Sequence, residues 1–192
     1  MKKFNLKLVE ESIRNLLIGI GEDPTRDGLI DTPQRVAKMY KELCEKSADK
    51  TLHLNKTFSF KNDELIIIKD ISFYSLCEHH IMPFIGKVHI AYKLDKEIIG
   101  LSKIYREIEC LSKGLNIQEN LNTKIFESFV SLYKDIKLII LIESEHLCVA
   151  MRGIKKENSK FITIRKTSNI SDSELNFFLR IIRTKACSHY LK

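Results

Sequence analysis

A chain of 192 residues with 44% hydrophobic and 30% charged residues has material for one packed domain, or one domain with a helical extension, which excludes a disordered chain and a scaffold dependent on disulfides. Its formal charge of +7 comes from 32 Lys and Arg dispersed among 25 Asp and Glu, without the basic stripe and interleaved aromatics of a nucleic-acid reader. The five cysteines (Cys44, Cys77, Cys110, Cys148, Cys187) are odd in number and widely spaced, the first segment is amphipathic, and no apolar run approaches the roughly 20 residues of a membrane-spanning helix, so a cytoplasmic protein without a membrane partner is expected.

Val9, Ile13, Leu16, Leu17 and Ile20 recur at helical spacing and predict a first helix, closed by Gly19 and Gly21. Thr32-Pro33 reads as an N-cap with proline at the first helical position, and Val36, Met39, Tyr40 and Leu43 form the apolar stripe of a second helix, with Arg35 and Lys38 on its first turns. From Asp63 the period shortens: 65–69, 71–74 and the alternating 87–92 read as strands, the last turned by Leu94-Asp95-Lys96. Helices are predicted over 102–112 and 117–133, a long strand over 137–151 and another over 161–166. Ser171-Asp172-Ser173-Glu174 offers a capping box for a final helix through Arg183. This order predicts an α+β fold with strands paired as hairpins and helices on one face, residues 1–60 forming an N-terminal helical extension and 61–192 the main domain.

Cys77-Glu78-His79-His80 lies between two predicted strands. Cys77 and His80 can converge on one ion, while His79 between them points elsewhere. A third ligand is available in Cys148; in a strand of period two, His146 shares its face and would lie beside the ion. Two thiolates and an imidazole are a recognised catalytic zinc set that leaves the fourth position for water, and His79 and His146 would exchange protons near neutral pH. The pattern points to metal-assisted hydrolysis; a closed structural zinc, or thiols serving only as small core groups, are the competing readings. His53, His89, His189, Cys44, Cys110 and Cys187 lack such company and read as structural or incidental.

Cys77 to His80, Gly100-Leu101-Ser102-Lys103-Ile104, Gln118-Glu119, and His146-Leu147-Cys148 leading to Arg152-Gly153, in this order and spacing, closely resemble GTP cyclohydrolase I. The resemblance runs from about Thr32-Pro33 through Gly153 and more weakly to the last helix. It implies Zn2+ held by Cys77, His80 and Cys148, with His79 and His146 around the purine. The implied reaction opens GTP at C8, releases formate and rearranges to 7,8-dihydroneopterin triphosphate, His79 protonating N7 and His146 assisting the ribose steps. Gln118 and Glu119 would contact the base, and a carboxylate at Glu119 suits the adjacent N1–H and N2–H2 donors of guanine. Lys103, Arg106 and Arg152 would surround the triphosphate, Ser102 would lie near the substrate, and Arg35, with Lys38, would come from a neighbouring subunit.

The implied architecture is the tunnelling fold (T-fold), antiparallel sheets of several subunits joined into a barrel with helices outside, in a homodecamer of two stacked pentamers with active sites at subunit junctions. Residues 161–170 lack the glycine-containing stretch usual in the family, Asn120 replaces a common Arg, and Lys113-Gly114 stands where Arg or Pro is frequent. A zinc-containing purine-nucleotide binder of the same fold that no longer completes the reaction, and an unrelated basic protein with structural zinc, are the alternatives.

Overall fold

The computed structural model describes residues 3–45, 53–61 and 63–184. The chain divides into two compact units, Met1–Ala48 and Asp49–Lys192, a division earlier in the chain than the boundary at residue 60 read from the sequence. Cys187 and His189 lie outside the described residues.

In the first unit, α1 (Leu6–Gly19) begins at Asn5, whose side chain accepts the Leu8 N–H, and ends ahead of Gly21 at φ 87. α2 (Thr32–Cys44) has Asp31 at its N-cap, one residue before the expected Thr32, and holds Pro33 in the first turn, where its missing N–H leaves no bond unmade.

The second unit is built on β1 (Thr57–Ser59), β2 (Ile66–Cys77), β3 (Pro83–Lys93), β4 (Glu97–Ile99), β5 (Leu115–Asn116), β6 (Lys137–His146) and β7 (Phe161–Lys166), with helices α3 (Leu101–Ser112), α4 (Gln118–Val130), α5 (Leu147–Ala150) and α6 (Asp172–Arg183). β1 pairs with β4, and a five-stranded sheet runs in the order β5-β2-β3-β6-β7. The pairs within it are antiparallel except β5, which lies parallel to the end of β2. The two strands expected at 65–69 and 71–74 are one strand with a register shift between Ile68 and Ile71, where Asp70 takes φ 62 and interrupts the alternation. The long strand expected over 137–151 stops at His146, and one helical turn follows.

Helices on one face is corrected by the packing. Val88, Ile90, Leu138, Ile140 and Ile142 pack with Ile104 and Ile108 of α3 and Leu121, Ile125 and Phe129 of α4. Ala91, Ile139 and Leu141, on the opposite face, pack with Ile170 and with Phe178, Leu175 and Leu179 of α6. The unbroken apolar run Leu138 to Ile142 is therefore the signature of a strand buried on both sides. The capping box that starts α6 forms as expected, Ser171 and Glu174 each accepting the other's backbone N–H.

Burial of a histidine inside this sheet makes stability depend on pH. His89 accepts the Asp70 N–H at Nδ1 (3.2 Å), and its Nε2 lies 3.9 Å from Glu143 Oε1. Desolvation lowers its pKa from 6.5, the charges of Glu143 and Asp70 offsetting only part of the effect. The folded state thus keeps His89 neutral while the unfolded chain takes up the proton first, so this stabilisation is complete above about pH 6.5 and is lost as pH falls below it. The gap in unfolding free energy between the wild type and His89→Gln is expected to narrow from pH 7 to pH 5; a gap independent of pH in urea titrations would contradict this.

Candidate active site

The turn from β2 to β3 places the first thiol. The Cys77 C=O accepts the Ile81 N–H (2.8 Å), the Cys77 N–H donates to the Met82 C=O (2.8 Å), and Ile81 sits in the left-handed region at φ 54. The Cys77 side chain is thereby buried, while His79 and His80 remain exposed. Asn116 of β5 pairs with Cys77 and braces the turn from below. Its amide donates to Ser75 Oγ (3.0 Å) and to the Ser112 C=O (3.2 Å), its Oδ1 accepts from Lys124 Nζ (2.8 Å), and its C=O accepts the Glu78 N–H (3.1 Å).

His146, the last residue of β6, lies opposite Phe84 in the ladder. Its ring stacks on Phe84 at 4.7 Å with an interplanar angle of 1° and meets Phe161 edge-on at 5.7 Å. The helical turn α5 then brings Cys148 back, so that the ligand atoms of Cys77, His146 and Cys148 lie within 4.8 Å of one another, the single group of this kind among the described residues. Nε2 of His146 is buried and has no hydrogen-bond partner.

The electrostatics agree with that grouping. Burial lowers the His146 pKa, with Glu119 opposing it, and burial raises the Cys148 thiol, followed by the neighbouring Cys77. Two adjacent sulfurs repel once ionised, and an unpartnered buried nitrogen costs free energy. A divalent cation relieves both, and the soft sulfur and imidazole donors fit zinc-type coordination.

These groups open onto a cavity of about 380 Å3, which His79, His80 and Glu119 also line. His79 Nδ1 lies 3.7 Å from Cys77 Sγ, and the His79 and His80 rings are 6.4 Å apart. The spacing argument pairs His80 with the thiols and leaves His146 beside the ion; the structure groups His146 with the thiols and keeps His80 on the cavity wall. The period-two argument for residues 146 and 148 does not hold, because Cys148 belongs to a helical turn and arrives by that turn's curvature.

Gln118 is fully buried, its amide engaged by β6 and β7, whereas its neighbour Glu119 is exposed at the cavity. Ser102, Lys103 and Arg106 are on α3 and Arg152 follows α5; none of these four lines the cavity. Arg35 belongs to the first unit, where it pairs with Asp31 at 3.0 Å, and Lys38 bonds Gln34. Lys156, Ser159 and Lys160, which sequence reasoning passed over, line the cavity. Gly153, Lys155 and Asn158 take φ 63, 52 and 60, and the Lys156 N–H returns to the Val149 C=O, so the basic run doubles back. The turn formers Gly153 and Asn158 were the available signal.

An α+β domain whose sheet ends in a buried thiol and imidazole group, open to a cavity beside a carboxylate, has the layout of a metal-dependent hydrolase. The model of the family described as GTP cyclohydrolase I matches residues 9–182. The chain is 41% identical over 170 residues to GTP cyclohydrolase 1 of Clostridium kluyveri, covering 88% of this chain and 91% of that one. It is 44% identical over 165 residues to GTP cyclohydrolase 1 of Bartonella bacilliformis (84% and 80% covered) and 41% identical over 165 residues to that of Bacillus subtilis (85% and 87%). The chain belongs to the GTP cyclohydrolase I family.

Proposed function

We propose that this chain opens the imidazole ring of GTP at C8, releases formate and forms 7,8-dihydroneopterin triphosphate, the entry to pterin and folate synthesis. The carrying observation is the buried thiol and imidazole group that faces the same cavity as Glu119. The ion is zinc, held by Cys77, Cys148 and, from the same turn as Cys77, His80. When bound, it supplies Lewis-acid activation of water.

The protein's own groups do the rest. Both Glu119 oxygens accept from guanine N1–H and N2–H2, a donor pair adenine lacks. His79 holds the proton for purine N7, and His146, clamped by Phe84 and Phe161, moves protons during ribose opening. Lys156 and Lys160 join Arg152, Lys103, Arg106 and Ser102 in balancing the triphosphate. A second reading makes His146 the imidazole ligand and leaves His80 to the substrate; the tight grouping of His146 with the two sulfurs favours it.

Arg35, with Lys38, reaches the substrate from a neighbouring copy in a homodecamer of two stacked pentamers, the sheets joining into a T-fold barrel. Supporting this is the edge strand β7, where Ile162 and Ile164 are exposed. The cytoplasm suits the free thiols of Cys44, Cys77 and Cys148, and among the described residues no helix is long and apolar enough to cross a membrane.

Incubation with GTP should yield equal amounts of formate and of a pterin that fluoresces after oxidation. GTP binding without formate would identify an impaired nucleotide binder, and neither result would leave only a structural metal. Glu119→Gln exchanges one acceptor for a donor; kcat/KM for GTP should fall roughly 100-fold with zinc content unchanged. An unchanged kcat/KM would remove Glu119 from base recognition.

A further inference from the structure

We infer that Gln118 is a positioning residue, a buried brace that fixes the ends of β6 and β7 so that Glu119 and His146 face one cavity. This rests on the cyclohydrolase reading, and it separates two neighbours that the family resemblance places together at the base. Gln118 is the first residue of α4 and is 0% exposed. Its Nε2 lies 3.1 Å from each of the Ile142 C=O, the Phe161 C=O and Thr163 Oγ1, and its Oε1 accepts from Ser144 Oγ. A primary amide has two N–H groups and one carbonyl oxygen, and protein atoms engage them all. Turning this amide toward a purine would break its bonds to Ser144, Thr163 and two main-chain carbonyls, of which those to Ser144 and Ile142 are buried.

The partners are the ones that set the site. Ile142 faces Thr163 and Ser144 faces Phe161 in the ladder, so Gln118 spans two rungs of the β6–β7 pairing. His146 follows Ser144 by two residues, and the Phe161 ring touches the His146 ring. Glu119 is the next residue on the helix that Gln118 ties down. Asn122, one turn later, repeats the grip by donating to the Thr163 C=O (3.1 Å) and Oγ1 (3.0 Å). The Thr163 hydroxyl therefore receives both amides. Within the unusual 161–170 segment, this threonine is what the helix holds.

The test uses the zinc-loaded, full-length protein and compares Gln118→Met, Thr163→Val, Thr163→Ser and the double variant Gln118→Met/Thr163→Val. Thr163 does not line the cavity, so Thr163→Val reaches the substrate only through the brace. A positioning role predicts that Thr163→Val lowers kcat/KM for GTP about 10-fold, through KM more than through kcat, because Glu119 loses its aim. Thr163→Ser should restore wild-type values, and the double variant should be no worse than Gln118→Met alone. GTP affinity measured by calorimetry on the same proteins should follow the same order. Wild-type affinity in Thr163→Val, or losses that add in the double variant, would overturn the inference and return Gln118 to the base. Variants that melt earlier while keeping kcat, KM and affinity would overturn it too, leaving only a structural bond. If the wild type binds GTP but forms no formate, the cyclohydrolase reading fails by itself, and the affinities still decide the role of Gln118.

Discussion

Cys148→Ala is expected to lose its metal and its turnover together. The residue supplies one of two sulfurs, and without it an imidazole and a single thiolate remain to hold the ion. Zinc content after dialysis should fall from stoichiometric to near zero, and formate release should drop by at least 1,000-fold, which corresponds to roughly 4 kcal/mol of barrier. The fold should survive, since Cys148 is a small side chain at the edge of the core and its loss opens only a small cavity. Full zinc occupancy in the variant would refute the two-sulfur site. The same metal analysis on His80→Ala and His146→Ala separates the two imidazole assignments, because the ligand's removal lowers occupancy while loss of the other histidine spares the metal and slows turnover.

Gly86→Ala should unfold the site from behind. Gly86 lies opposite Ser144, and an added Cβ would stand 2.0 Å from the Glu143 carbonyl oxygen and 2.7 Å from Ser144 Cα. Those are backbone atoms of the central strand pair and cannot swing away as a flexible side chain would. The variant is expected to be less stable by about 3 kcal/mol, lowering the melting temperature by roughly 10 °C. Because Ser144 is also the hydroxyl that Gln118 accepts from, β6 would shift under His146 as well. A melting curve that overlays the wild type would show that β3 and β6 have room the geometry denies.

Features carried by neighbouring residues were legible in the sequence. The α6 capping box needs only Ser171 and Glu174, and the amphipathic stripes of α1 and α2 repeat within a few turns. The two thiols could be singled out because sulfur has few reasons to sit beside imidazole. What stayed hidden depended on partners distant in sequence. Asp70 breaks one strand into two apparent ones, and a helix of four residues has no period by which to detect α5. The nearness of His146 to the two thiols goes with its stack on Phe84, a contact made across the ladder that no local spacing announces. Gln118 reads as a polar residue at a helix start, and only its partners on β6 and β7, far along the chain, explain why it is buried.

Ile81 carries a further consequence. A branched side chain at φ 54 imposes a penalty of order 1–3 kcal/mol, and at 49% exposure its burial returns little of it. Evolution toward heat tolerance alone would discard this isoleucine in favour of glycine or asparagine. Between the sulfur-bearing end of one strand and the start of the next, that cost sits in the turn whose hydrogen bonds hold Cys77.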